Sequence, residues 1–134
     1  MYTDSLHLTT VIPAEPDDVF DAWMSSDGHS AMTGAPASVQ PGEGGEFQAW
    51  DGYIRGWHVR VDRPRTLVQR WRSAEFPDDA PDSLLELRLS PTPEGTRIEL
   101  LHTEIPAGQG PKYEQGWEEF YFAPMRAWFG TQAK

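Results

Sequence analysis

The apolar positions along the chain change their period twice, and the changes mark out the elements. Residues 6–12, LHLTTVI, are rich in β-branched and apolar side chains and stop at Pro13, which predicts a first strand. In PAEPDDVFDAWMSS (13–26), Val19, Phe20 and Trp23 share one face at helical spacing. Pro16 suits a first helical turn, and Asp17 and Asp18 complement the positive end of the helix dipole. SDGHSAMTG (26–34) reads as a second short helix stopped by Gly34.

After a connection containing Pro, Gly and Ser, the period becomes two. GEFQAWDGYIRGWHVRV (45–61) holds Asp51-Gly52, the residues a type I′ hairpin turn asks for. Such a turn pairs Trp50 with Tyr53 and Gln48 with Arg55 on one face, with Phe47, Ala49, Ile54 and Gly56 on the other. Trp57, Val59 and Val61 then alternate as a second apolar stripe on the opposite face, so an inward course for both stripes requires a bulge, expected near Gly56. TLVQRWR (66–72), SLLELRLS (83–90) and TRIELLHT (96–103) follow as further strands between turns rich in proline and glycine. The last stretch returns to helical spacing. In PKYEQGWEEFYFAPMRAWFG (111–130), Tyr113, Trp117, Phe120, Tyr121, Pro124 and Trp128 recur three and four residues apart over about five turns. Pro124 removes a backbone donor inside that pattern and is expected to kink it. The prediction is an α+β single domain over residues 1–134, in which a mainly antiparallel sheet of about six strands and a long C-terminal helix cover each other.

Composition narrows the function. Eleven Lys and Arg against 21 Asp and Glu give a net charge of −10, which opposes nucleic acids and anionic membrane surfaces as partners. With no cysteine, thiolate zinc sites, iron–sulfur clusters and a cysteine nucleophile are excluded. MYTDSLHLTTVIP lacks the basic and apolar regions of a signal peptide, and no apolar run approaches the roughly 20 residues of a membrane span, so a cytoplasmic location is expected. His7, His29, His58 and His102 are dispersed without metal-ligand spacing, so no metal and no cofactor is expected. GEGG (42–45) lacks the lysine and following helix of a phosphate loop, and no Ser-x-x-Lys or Gly-x-Ser-x-Gly element occurs.

Six tryptophans in so short a chain exceed what a core of this size ordinarily uses, and some are candidates to line a cavity. Alternation in TRIELLHT sets Ile98, Leu100 and His102 on one face and so turns the imidazole inward, where it needs either a partner such as Tyr121 or a polar contact on a ligand. Alternation in TLVQRWR likewise groups Leu67, Gln69 and Trp71. Gln69, Trp71, Leu100 and His102 on the sheet, with Trp117, Phe120 and Tyr121 on the helix, are therefore the candidate cavity residues: a few polar groups among apolar walls.

VFDAW, GGEF, DGYIRG, DRPRTLVQRWR, GTRIELLHTEIP and GWEEFYFAPMRAW, in that order over residues 7 to 130, resemble the activator of heat-shock-protein-90 ATPase homologue-like group of the START-like (SRPBCC) superfamily. The resemblance implies a helix-grip (Bet v-like) fold, with a curved sheet around the C-terminal helix and an apolar cavity between them. In the eukaryotic activators it falls on the C-terminal half, whereas a separate N-terminal domain makes much of the chaperone contact. Three functions follow as expectations. The first is a binding domain for a small apolar or amphipathic ligand, without catalysis. The second is a co-chaperone-type module that uses an acidic outer surface on a heat-shock-protein-90-like ATPase. The third is a cyclase or hydrolase using His102. Both monomers and homodimers are expected of such domains.

Overall fold

A computed structural model of the chain describes residues 3–132. Seven strands form one antiparallel sheet: β1 (Thr3–Ile12), β2 (Ala37–Val39), β3 (Glu46–Ala49), β4 (Ile54–Asp62), β5 (Thr66–Ser73), β6 (Ser83–Thr92) and β7 (Gly95–Pro106), in the order β1-β7-β6-β5-β4-β3-β2. The strand beyond the expected six is β2. It lies in the connection after the second helix and pairs with β3 from Ala37↔Ala49 to Val39↔Phe47. Three residues with one buried side chain carry too little alternation to be recognised in sequence.

Helices α1 (Pro16–Trp23) and α2 (Ser26–Thr33) follow β1. Pro16 opens α1, and Val19, Phe20 and Trp23 are its buried face. Ser25 caps α2, its hydroxyl accepting from the Gly28 N–H at 2.8 Å, and Gly34 closes it in the left-handed conformation at φ 79°. The C-terminal helix is three segments run together: α3 (Gly110–Gly116), a π-helical turn (Trp117–Phe122) and α4 (Ala123–Gln132). The disturbance expected at Pro124 takes the form of that π turn. Pro124 offers no N–H to the carbonyl four residues back, and the Ala123 N–H bonds the Glu118 carbonyl five residues back.

The core lies between the helices and one face of the sheet. Leu67, Gln69, Trp71 and Ser73 of β5, Ser83, Leu85, Leu87 and Leu89 of β6, and Thr96, Ile98, Leu100 and His102 of β7 all point into it and are buried. Each fully buried Leu or Ile on this face contributes about 1.5–3 kcal/mol relative to exposure. At Glu104 (φ 62°) β7 bulges opposite the step from Asp4 to Leu6, which lets Ile105 also turn inward.

In β4 the stripe of Trp57, Val59 and Val61 is not the inner one. Phe47, Ala49 and Ile54 face the core, and His58 continues that face, buried against Phe47 with ring centroids 5.6 Å apart. Trp57 and Val59 stand outside, 42% and 40% exposed. The bulge falls between His58 and Arg60, two residues beyond Gly56, and restores only Val61 to the side of Leu67. Gly56 has a different task. A Cβ there would sit 1.8 Å from the Arg70 carbonyl oxygen, so its strand approaches β5 as only glycine allows.

The exposed acidic residues Asp17, Asp18, Glu114, Glu118 and Glu119 lie on the helices. The outside of the sheet carries both signs: Arg55, Arg70, Arg72, Arg88 and Arg97 stand among Glu46, Glu86, Glu99 and Glu104, with Arg70 paired to Glu104 and Arg88 to Glu86 and Glu99.

Candidate functional site: an aromatic cavity beside the C-terminal helix

The hairpin turn at Asp51-Gly52 forms as its sequence asks, with both residues at positive φ and the Tyr53 N–H bonded to the Trp50 carbonyl at 3.2 Å. Trp50 is itself left-handed at φ 57°. Its side chain therefore leaves the outer face it would share with Gln48 and turns to the helix, with its ring 5.4 Å from Phe120 and 6.4 Å from Tyr121. Alternation alone could not have revealed this, because it presumes extended backbone.

Between this hairpin and the helix lies a cavity of about 430 Å³. Trp50, Tyr53, Ile54 and Trp71 form its sheet wall; Lys112, Tyr113, Gly116, Trp117, Phe120 and Tyr121 form its helix wall. Trp71 packs edge-on to Tyr113 at 5.2 Å and tilted to Trp117 at 5.7 Å, and Trp117 meets Tyr121 at 4.9 Å. Such a surface offers apolar area and ring faces, with little polarity to satisfy. At the mouth, the Glu75 carboxylate accepts from the Tyr53 hydroxyl and from the Lys112 ammonium, the latter at 2.5 Å, joining the hairpin to α3. Those two bonds, Lys112 first, hold the Glu75 carboxyl below the usual carboxylate range, while burial and then the bond to Glu75 push the Tyr53 phenol up.

Of the candidate residues, Trp71, Trp117, Phe120 and Tyr121 border the cavity, and His102, Gln69 and Leu100 do not. His102 lies behind Trp71 and Trp117, fully buried. The Trp117 indole N–H donates to its Nδ1 at 3.1 Å, so Nε2 carries the proton and donates to Ser83 Oγ at 2.8 Å; that hydroxyl donates to the Trp71 carbonyl at 2.6 Å. Neither ring nitrogen is free to take a substrate proton, and burial holds the imidazole neutral with its pKa pushed down to about 3. Gln69 is likewise occupied, donating from Nε2 to His58 Nδ1 at 3.1 Å, while the other His58 nitrogen donates to the Gln40 carbonyl at 3.0 Å. Leu100 is core.

Tyr121 bonds not to His102 but to His29. Its hydroxyl donates to His29 Nε2 at 2.8 Å, and His29 Nδ1–H donates to the Trp23 carbonyl at 2.9 Å. Burial lowers the pKa of His29 and of His58 and raises that of Tyr121. Each buried histidine thus donates once and accepts once, the arrangement of a neutral imidazole in a core. The short-range sequence signal missed Trp50, Tyr53, Ile54, Lys112, Tyr113 and Gly116 as wall residues; the Trp50-to-Tyr53 turn was the one local feature that pointed there. Among the described residues no group of three or more acidic or histidine side chains is placed to hold a metal ion, and no helix is long and apolar enough to cross a membrane.

A seven-stranded antiparallel sheet gripping a C-terminal helix, with two short helices after the first strand, defines a helix-grip, START-like domain. Within that class, the family model described as Activator of Hsp90 ATPase homolog 1-like protein matches residues 13–130, and the chain belongs to this family. It is 24% identical over 132 residues to the human Activator of 90 kDa heat shock protein ATPase homolog 1, an alignment covering 98% of this chain and 39% of the relative. The chain therefore spans about two-fifths of the length of that relative. Among solved structures, an HSP90 activator from Plasmodium falciparum superposes with a TM-score of 0.84 at 20% identity, covering 94% of this chain and 96% of the other. The Aha1 dimer from Colwellia psychrerythraea gives 0.76 at 13% identity, covering 93% and 96%.

Proposed function

We propose that the protein is a co-chaperone-type module acting on a heat-shock-protein-90-like ATPase. The observation that carries this reading is the family match over residues 13–130, nearly the whole fold. The solved chain of the HSP90 activator from Plasmodium falciparum, 96% of which is covered, shares this fold. The outside of the sheet supplies a contact surface: Trp57 and Val59 are exposed there, Trp57 is paired across the ladder with Arg70, and Arg55 lies on the same face. Exposed aromatic and arginine side chains are the types that carry most binding energy when a partner covers them. The test is ATP hydrolysis by the cognate chaperone with and without the protein. Wild type is expected to stimulate it, and Trp57→Ser to lose at least fivefold of the stimulation at equal concentration without a change in melting temperature. Absence of both stimulation and complex formation on size exclusion refutes the reading; the elution volume also reports whether one copy or a homodimer engages.

A second reading, favoured by the 430 Å³ cavity, is that the domain holds a small apolar or amphipathic molecule between the C-terminal helix and the sheet. The two readings use opposite faces of the sheet and are compatible.

A further inference from the structure

The two edges of the sheet are finished differently. At one end of the strand order, β2 is three residues long and α2 seals it. Ser26 Oγ accepts from the Val39 N–H at 2.8 Å and donates to the Val39 carbonyl at 3.3 Å, and Ser30 Oγ does the same for Ala37 at 2.9 and 3.3 Å. Two hydroxyls one helical turn apart thus stand in for a neighbouring strand. At the other end, β1 is ten residues long and contains no proline, lysine or arginine, the residues that commonly blunt an edge. From Leu6 to Thr10 its backbone pairs with β7 on one side, and among the described residues no hydrogen bond reaches the backbone on the other.

The C-terminal helix lies along that free edge. Asp4 Oδ2 accepts from the Gly108 and Gly110 N–H groups at 3.0 and 2.8 Å, and Thr10 Oγ1 accepts from Arg126 at 2.7 Å. Asp4 to Thr10 spans about 20 Å at the rise of a strand and Gly110 to Arg126 about 24 Å at that of a helix, so the two run side by side in the same direction. Between them is a groove of about 620 Å³, with Leu8 and Thr9 on the strand bank and Glu114, Glu118, Glu119 and Phe122 on the helix bank. It shares no residue with the aromatic cavity. Glu114 and Glu118 stand one turn apart, a like-charge spacing that weakens a helix. Glu118 pairs with Arg126, whereas Glu114 and Glu119 have no cationic partner among the described residues. The step from Glu114 to Glu118 is about 6 Å along the helix, close to the roughly 6.7 Å between alternate side chains of a strand.

We propose that the free edge of β1 is a docking site for one extended segment of a partner protein, which adds to the sheet beside β1 and sets lysine or arginine side chains at alternate positions against Glu114, Glu118 and Glu119. Main-chain hydrogen bonds to β1 hold such a segment, and the glutamates select its sequence. The groove excludes a second copy of this chain pairing through its own β1: that strand brings no lysine or arginine to the acidic bank, and its helix adds a second row of carboxylates. The site uses neither the outer face of the sheet nor the cavity, and so stands apart from both readings above.

The experiment titrates the full, nitrogen-15-labelled chain at low salt with three blocked peptides, TKVKVKT, TEVEVET and TKPKPKT, reading amide chemical shifts and amide hydrogen exchange. The proline peptide keeps the charge of the first but lacks the alternate backbone donors of a strand. TKVKVKT is expected to shift and protect amides between Leu6 and Thr10, and to bind at least about tenfold more tightly than TEVEVET and about fivefold more tightly than TKPKPKT. Glu114→Gln with Glu119→Gln, both exposed, is expected to leave the melting temperature unchanged and weaken TKVKVKT at least about twofold, since exposed ion pairs contribute about 1.4-fold to fivefold each. Asp78→Asn with Asp79→Asn, the same change in net charge on an exposed turn, is expected to leave the affinity unaltered. Equal binding of TKVKVKT and TEVEVET overturns the charge selection, and equal binding of TKPKPKT overturns strand addition in favour of adsorption by charge. Equal effects of the two double variants, or no response of the β1 amides at millimolar TKVKVKT, overturn the location.

Discussion

Lowering the pH from 7 to 5 should destabilise the fold through His102, and the size of the effect follows from its surroundings. The imidazole is fully buried, its Nδ1 already accepts from Trp117, and burial pushes its pKa from 6.5 down to about 3. Because the folded-state value lies below the unfolded one, the unfolded chain takes up the proton first. The resulting stability is fully present above about pH 6.5 and is lost progressively as the pH falls towards about 3. Between pH 7 and 5 the loss is about 2 kcal/mol, against a total of about 5–15 kcal/mol for a domain. His29 and His58 are shifted in the same direction and add to it. To isolate His102, the variant is His102→Gln, whose amide can accept from Trp117 and donate to Ser83 but does not titrate. At pH 7 the variant should be less stable by about 1 kcal/mol, the cost of imperfect hydrogen bonds in a packed site. At pH 5 it should be the more stable by a similar amount, because it escapes the loss of about 2 kcal/mol, and the contributions of His29 and His58 cancel in the comparison. Equilibrium urea unfolding of both proteins at pH 7, 6 and 5, followed by circular dichroism, measures this directly. Parallel stability curves, with no crossing between pH 7 and 5, refute the assignment of a neutral, acid-sensitive His102.

Two further substitutions test the packing that builds the site. Gly56→Ala places a methyl group 1.8 Å from the Arg70 carbonyl oxygen and should cost about 3 kcal/mol in urea unfolding; a loss below about 0.5 kcal/mol contradicts the close approach of β4 to β5. Tyr121→Phe leaves the shape of the cavity nearly intact but strips His29 Nε2 of its donor, so it should lower stability by about 1–3 kcal/mol, and an unchanged urea midpoint argues against that buried bond.

Six of the seven strands, the two short helices and the long C-terminal helix were legible because their hydrophobic patterns are distinct and their turns are marked by proline and glycine, whereas the three residues of β2 carry too little alternation to show. The site was legible on its helix side, where Trp117, Phe120 and Tyr121 declare themselves by spacing, and in Trp71 on β5. It was obscure where a backbone departure overrides alternation. The left-handed Trp50 turns a nominally outer ring to the helix, and because the bulge falls after His58 instead of near Gly56, unbroken alternation from Ile54 leaves Trp57 and Val59 outside while an imidazole goes in. An inward histidine on an apolar stripe was read correctly as inward. Its partners were beyond reach of the sequence, because Ser83 and Trp117 lie 19 and 15 residues away and arrive only through the fold.

Two features of the C-terminal helix lie side by side at the cavity, and they differ in cause. The π turn at Trp117–Phe122 would invite a functional interpretation, since such turns often occur at sites. Here Pro124 is cause enough: any chain with proline at that point must leave the carbonyl four residues back without its donor, and widening the helix just upstream relieves the ring against it. Gly116 has no such cause. Alanine would fit its dihedrals, clear its neighbours and stabilise the helix by about 0.5–1 kcal/mol. The π turn is thus accounted for by the chain's own proline, whereas the glycine at the cavity wall is required neither by its backbone conformation nor by its neighbours.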